Sequence, residues 1–150
     1  MENNIMTKRI LIKEVEPDAY KVMYELENYT KNSELSLKLC ELIKIRASQV
    51  NKCTYCIDMH TKDAIANGEI QKRLFELVTW KESNLFTEEE KCALQLTEEI
   101  TLISDNGVKE ETYSAALSLF GEKKLAQLIM QIVVINSWNR IAISTKMIFK

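Results

Sequence analysis

The chain has 150 residues, 20 basic against 22 acidic, with one histidine, four cysteines, three glycines and one proline. That length suits a single domain over residues 1–150, with a sizeable core and hardly room for a second. A formal charge of −2 gives no basic footprint for nucleic acid or an anionic membrane, 46% apolar and 28% charged residues is globular composition, and the few glycines and prolines leave little turn material for an all-β sandwich or barrel.

The opening residues, Met-Glu-Asn-Asn-Ile-Met-Thr-Lys-Arg, carry acid and amide groups where a signal peptide would be basic and then apolar. No leader is expected. Residues 9–15 read as an extended lead-in arm. Pro17 then suits the first turn of a helix running to about Tyr29, with Ala19, Val22, Met23 and Leu26 at helical spacing. A second helix is expected from Ser33–Ser36 to Ala47 or Ser48. A third should start near Cys53 and stop at Asn67-Gly68, where glycine suits a left-handed residue after a helix. A fourth covers Ile70 to Trp80.

Thr87-Glu88-Glu89-Glu90 has the form of a capping box and opens a fifth helix through about Leu102. Asp105-Asn106-Gly107 is a turn. Lys109 to Leu119 is helical and closes at Gly121, and a last helix runs from Glu122 past Trp138 to about Ile143. Within it the β-branched run Ile132-Val133-Val134-Ile135 competes for strand. Leu125, Leu128, Ile129, Ile132 and Val133 keep one helical period through the run, so helix is expected. The apolar stretch Leu128 to Ile135, interrupted by Gln131, is too short to cross a bilayer. The reading is an all-α bundle of about six or seven helices.

One segment carries chemistry: Glu41-Leu-Ile-Lys-Ile-Arg-Ala-Ser-Gln-Val-Asn-Lys-Cys53-Thr-Tyr-Cys56-Ile-Asp-Met-His60. On a helix starting at Cys53, Cys53 and Cys56 share a face, and His60 lies one turn beyond Cys56. The first turn of a helix favours a thiolate, the form that attacks peroxides and disulfides. Imidazole register favours Cys56 as the activated sulfur, whereas the helix start favours Cys53. Four unevenly placed cysteines do not form the framework of a small secreted domain, so a reducing cytoplasm is expected. Cys40 and Cys92 read as core packing.

Zinc is the competing reading, since Cys53, Cys56 and His60 could supply three ligands with a carboxylate or water as the fourth. Structural sites usually draw their ligands as two separated pairs, and no second Cys-x-x-Cys exists here. No metal or cofactor is therefore expected. Covalent haem attachment wants a histidine directly after the second cysteine, where this chain has Ile57. A thioredoxin-like fold needs a βαβ context, and the flanks read as helix.

Glu41, Cys53, Cys56 and His60 reproduce a family pattern: glutamate, eleven residues, Cys-x-x-Cys, three residues, histidine. On it the chain resembles the alkylhydroperoxidase D-like branch of the carboxymuconolactone decarboxylase family. Supporting matches are Glu16-Pro17-Asp18-Ala19-Tyr20, Thr87 to Glu90, and Ile135-Asn136-Ser137-Trp138-Asn139-Arg140. The resemblance implies an all-helical fold assembled as a homo-oligomer, a trimer or a larger ring such as a hexamer. It also implies a peroxidase that acts on hydroperoxides and is re-reduced by a thiol or dithiol donor. In the family the second cysteine attacks peroxide, which carries over to Cys56, with Cys53 as the resolving thiol and Glu41 and His60 as a proton relay.

Glu41 interrupts an apolar row between Leu37 and Ile45, and burial there would raise its pKa. Lys38 and Lys44 on the same helix speak for a surface glutamate instead. The best-known family pattern has a second histidine between the cysteines, where this chain has Tyr55, a poor base that can still orient water or donate a hydrogen bond. A decarboxylase or lactone-processing relative, a redox sensor without turnover and a zinc protein are the other functions the residues leave open. Trp80, Trp138, Phe75, Phe120 and the six methionines read as core or interface packing, and Glu88-Glu89-Glu90 as a solvated helix start. Asn136, Asn139 and Arg140 fit either a site or a subunit contact.

Overall fold

The computed structural model describes residues 8–148, so the expectation of no leader, which rests on residues 1–9, falls largely outside it. Its helices are α1 (Ile12–Val15), α2 (Pro17–Lys31), α3 (Leu37–Val50), α4 (Thr54–Ala66), α5 (Gln71–Glu76), a 3₁₀ helix (Leu77–Glu82), α6 (Glu88–Thr101) and α7 (Glu110–Ser144). No strand occurs among the described residues, and none of the helices there is long and apolar enough to cross a membrane.

The boundaries follow local chemistry. Pro17 occupies the first turn of α2. Ser36 caps α3, its Oγ accepting the Leu39 N–H at 3.2 Å. The capping box is complete: Thr87 Oγ1 accepts the Glu90 N–H at 3.1 Å, and Glu90 accepts the Thr87 N–H at 2.8 Å. In α7, Gly121 (φ 72°, ψ 168°) breaks the helix into limbs 110–120 and 122–144. That conformation is essentially open to glycine alone.

Two expectations need correction. Residues 9–15 are not wholly extended, because Ile12–Val15 close one helical turn. Ile70 to Trp80 is not one α-helix: it is α5 followed by the tighter 3₁₀ helix, with Thr79 off helical geometry at φ −119°, ψ 31°. Leu77 and Trp80, on either side of the kink at Thr79, both enter the core.

α3 is the centre of the bundle and packs against α4, α6, α7 and the 3₁₀ helix. Leu39 and Ile43 join Leu96 of α6 and Leu125, Leu128 and Ile132 of α7 in one core. Leu42 and Ile45 join Ala64, Leu77, Trp80 and Leu94 in a second. A small third cluster sets Cys53 and Cys56 against Ala142 of α7, with Tyr55 and Met147 beside them. The end of α3, the start of α4 and the long limb of α7 thus enclose the cysteines.

Candidate active site

The turn from α3 to α4 is built from Asn51, Lys52 and Cys53. Lys52 takes a left-handed conformation (φ 58°), and the Cys53 N–H donates to the Ser48 carbonyl at 2.9 Å. Cys53 becomes the residue before the first helical one, and Cys56 lies in the first turn of α4. Both are 2% exposed, and their Sγ atoms are 2.6 Å apart. The hydrogen bond between the two thiols lowers Cys53 to about 7, helped by the Cys56 N–H and the Asn139 amide and opposed by burial. The same bond, together with burial, pushes Cys56 up, while Asn139 and Ser48 pull the other way. The pair gives up one proton readily and holds the other.

Asn139, fully buried, donates from Nδ2 to Ser48 Oγ at 3.0 Å. Asn51 Nδ2 donates to Asn139 Oδ1 at 2.8 Å and to Asn136 Oδ1 at 3.0 Å, and Arg140 Nη1 donates to Asn136 Oδ1 at 2.9 Å. These amides bolt the cysteine turn to α7. Within the chain, Asn136, Asn139 and Arg140 thus belong to the hydrogen-bond network around the cysteine turn.

His60 and Glu41 meet across the α3–α4 interface, with His60 Nδ1 3.1 Å from Glu41 Oε2. Lys44 Nζ donates to Glu41 Oε1 at 3.0 Å and lies 3.6 Å from Glu27 Oε1. Glu27 also accepts the Trp138 Nε1–H at 3.1 Å. Burial raises the Glu41 pKa as expected, but the His60 hydrogen bond and the Lys44 charge outweigh it, and the carboxyl ends below its ordinary value. Lys44 is no surface residue; it is buried at 6% exposure and held charged by its two carboxylates. An ionised Glu41 only accepts, so Nδ1 carries the imidazole proton and Nε2 is the basic nitrogen.

A cavity of about 470 Å³ opens beside these groups, lined by Glu41, Lys44, Tyr55, Cys56 and His60. Cys53 is not among its lining residues. Four of the five sequence candidates therefore share one cavity, with Cys53 in contact through Cys56. Trp138, read above as packing, is a wall of this cavity, stacked edge-on with Tyr20 at 5.3 Å. Cys40 belongs to the core and lines the cavity as well, its thiol pushed up to about 11 by burial. Sequence reasoning missed Tyr20, Tyr24, Lys44 and Gln131 as cavity residues, since each reads as an ordinary helix position until the helices pack.

The zinc set does not assemble. Among the described residues the cluster with metal-binding spacing is Glu41, His60 and Asp63, not Cys53, Cys56 and His60. Even there Lys44 sits 3.0 Å from Glu41, a fixed positive charge where a cation would go, and Asp63 is 57% exposed.

Residues 17–99 match the sequence profile of the Carboxymuconolactone decarboxylase family. The chain is 43% identical over 139 residues to the uncharacterized protein YdfG of Bacillus subtilis (strain 168), covering 93% of this chain and 95% of the relative. A crystal structure of a protein of unknown function from Agrobacterium tumefaciens, provisionally named as the antioxidant defence protein AhpD, superposes with a TM-score of 0.92 at 31% identity, over 95% of this chain and 98% of that one. The debrominase Bmp8 gives a TM-score of 0.82 at 15% identity, over 91% of this chain and 74% of its own, a likeness of fold alone.

Proposed function

The chain belongs to the carboxymuconolactone decarboxylase family, with an AhpD-like all-helical fold, and on that premise we propose that it is a thiol-dependent peroxidase. The observation that carries the reading is the sulfur pair, 2.6 Å apart, beside a cavity that also holds the His60–Glu41 hydrogen bond. The name given to the Agrobacterium tumefaciens protein, antioxidant defence, supports it.

Cys56 lines the cavity and is the attacking sulfur. The pair loses one proton near neutrality; the proton that remains moves across the 2.6 Å gap to Cys53 and leaves Cys56 as the thiolate. His60 Nε2 takes the departing proton, with Glu41 fixing the ring through Nδ1. The thiolate attacks the outer oxygen of a hydroperoxide and the O–O bond breaks. Cys56 becomes a sulfenic acid and the alkoxide leaves with the proton held on His60, as an alcohol. Cys53 then displaces water from the sulfenic acid, forming a disulfide that an external thiol or dithiol reduces. Tyr55 is positioned to orient the peroxide or a water at the cavity wall. A reducing compartment such as the cytoplasm suits that donor.

A trap for sulfenic acid, applied after peroxide to wild type, Cys53→Ser and Cys56→Ser, tests the scheme. Cys53→Ser should accumulate trapped sulfenic acid on residue 56. Cys56→Ser should trap none and consume no peroxide; wild-type consumption by that variant overturns the reading. The family resemblance also implies that copies of the chain assemble into a homo-oligomer. Sedimentation should then give a mass above that of one chain, and a monomer would refute the assembly.

A further inference from the structure

Lys44 lies on α3 between Ile43 and Ile45, two fully buried core residues, and is itself buried. A methionine would fill the position without the cost of taking a charge out of water. The ammonium is held instead by two carboxylates, with Glu41 Oε1 at 3.0 Å and Glu27 Oε1 at 3.6 Å. The other oxygen of the Glu41 carboxylate, Oε2, faces His60 Nδ1 at 3.1 Å. One carboxylate thus has a cation on one oxygen and the imidazole on the other.

With an uncharged imidazole, Glu27, Glu41 and Lys44 together carry one negative charge. Without Lys44 two negative charges would stand out of water, and the site takes up a proton to relieve them. Glu27 is the poorer place for that proton: it is the more exposed of the two carboxylates, and it accepts the Trp138 Nε1–H. In the Glu41–His60 pair the proton has two places to settle. On the Glu41 carboxyl it is donated to Nδ1, and the ring's own proton then sits on Nε2. On the ring it makes an imidazolium, with a proton on each nitrogen. Nε2 is blocked either way. The other ionisable groups around the cavity do not replace Lys44. From α2 come the phenols of Tyr20 and Tyr24 and the exposed Lys31, and from α3 comes Cys40, which burial keeps neutral at pH 7. From α4 come Tyr55, Cys56 and the exposed Asp63, whose carboxylate, 4.0 Å from Nδ1, draws a proton towards the ring. α7 lines the cavity with no ionisable side chain.

We propose that Lys44 is a positioning residue for the imidazole base: acting through Glu41, its charge keeps His60 Nε2 free of a proton. That Nε2 then serves Cys56 rests on the peroxidase reading; the charge balance stands without it.

The chain has one histidine, so nitrogen NMR of its imidazole reads without ambiguity which ring nitrogen is protonated. The comparison is made in the full chain carrying Cys56→Ser, which removes the thiol that would hand its proton to the ring. In that protein, just above neutral pH, Nδ1 should be protonated and Nε2 not. Adding Lys44→Met should raise the proton affinity of Nε2 about tenfold, moving its midpoint up by about one pH unit. Adding Glu27→Gln, which keeps an acceptor for Trp138 and leaves Lys44 to Glu41 alone, should move the midpoint down. Both variants break the same Lys44–Glu27 contact, so a loss of packing moves them together, whereas a charge effect moves them apart. Glu27→Gln also decides the matter if Lys44→Met does not fold. A proton on Nε2 in the Cys56→Ser protein just above neutral pH, an unmoved midpoint in Lys44→Met, or a midpoint that fails to fall in Glu27→Gln overturns the proposal. With Cys56 restored, the acid limb of kcat/KM for tert-butyl hydroperoxide should move up in Lys44→Met by the same interval. If wild type turns over no hydroperoxide, the peroxidase reading fails, while the NMR comparison still decides the role of Lys44.

Discussion

A buried thiol ordinarily holds its proton more tightly than one in water, as Cys40 does at about 11. Cys53 goes the other way, to about 7, because Cys56 hydrogen-bonds its sulfur from 2.6 Å. The cause is a single neighbour, so it is removable. In the reduced protein, alkylation of the Cys53–Cys56 pair by iodoacetamide should rise with pH about a midpoint near 7, the label entering at Cys56, which lines the cavity, while Cys40 remains unlabelled through neutrality. Cys56→Ala should carry that midpoint up to or past the ordinary thiol value of about 8.5. Mass spectrometry of the peptide containing residue 53 reads both, and an unmoved midpoint in the variant would show that the helix start, not the partner sulfur, sets the acidity.

At the scale of elements, what was legible in the sequence is what short-range chemistry decides. Ser36, the Thr87–Glu90 box and Gly121 mark helix ends because caps and left-handed residues act within one turn. The shift to a 3₁₀ helix at Leu77 was not legible, since it serves the packing of Leu77 and Trp80 against α3 and α6. The site divides the same way. Cys53, Cys56 and His60 fall within the cap and first two turns of α4, and their spacing showed it. Lys44 gave the wrong signal, because its burial is matched by Glu27 arriving from α2 as well as by Glu41 of its own helix. Gln131 and Asn139 were hidden for the same reason. Gly121 offers the sharpest test at this scale. A Cβ there would meet nothing within 4 Å, so Gly121→Ala introduces backbone strain and no clash. It should cost about 1–3 kcal/mol, and the melting temperature should drop by roughly 2–4 °C per kcal/mol. Thermal unfolding checks this, and an unchanged melting temperature would mean that the limbs of α7 can meet in another geometry.

For the molecule as a whole, the buried charges around the cavity join what the apolar core leaves separate. Glu27 comes from α2, Glu41 and Lys44 from α3, His60 from α4, and Trp138 of α7 donates into Glu27. On the proposed peroxidase scheme, stability and proton transfer are vested in the same side chains, and Glu41→Gln should disturb both. The variant leaves Lys44 buried with one carboxylate at 3.6 Å, a loss of about 3 kcal/mol for a broken buried pair. It also removes the acceptor that fixes the imidazole tautomer, so peroxide consumption should fall on the order of 10²-fold. The pH dependence has a definite sign. Glu41 is lowered in the folded chain, so its stabilisation is complete above the ordinary carboxylate value of about 4.3 and is lost as pH falls through the lower, folded value. Chemical denaturation should accordingly show wild type ahead of Glu41→Gln at pH 7, with the gap narrowing below about pH 4. A gap that stayed constant into acid would mean that the ionisation of Glu41 contributes nothing to folding, and that the variant loses only a packing contact.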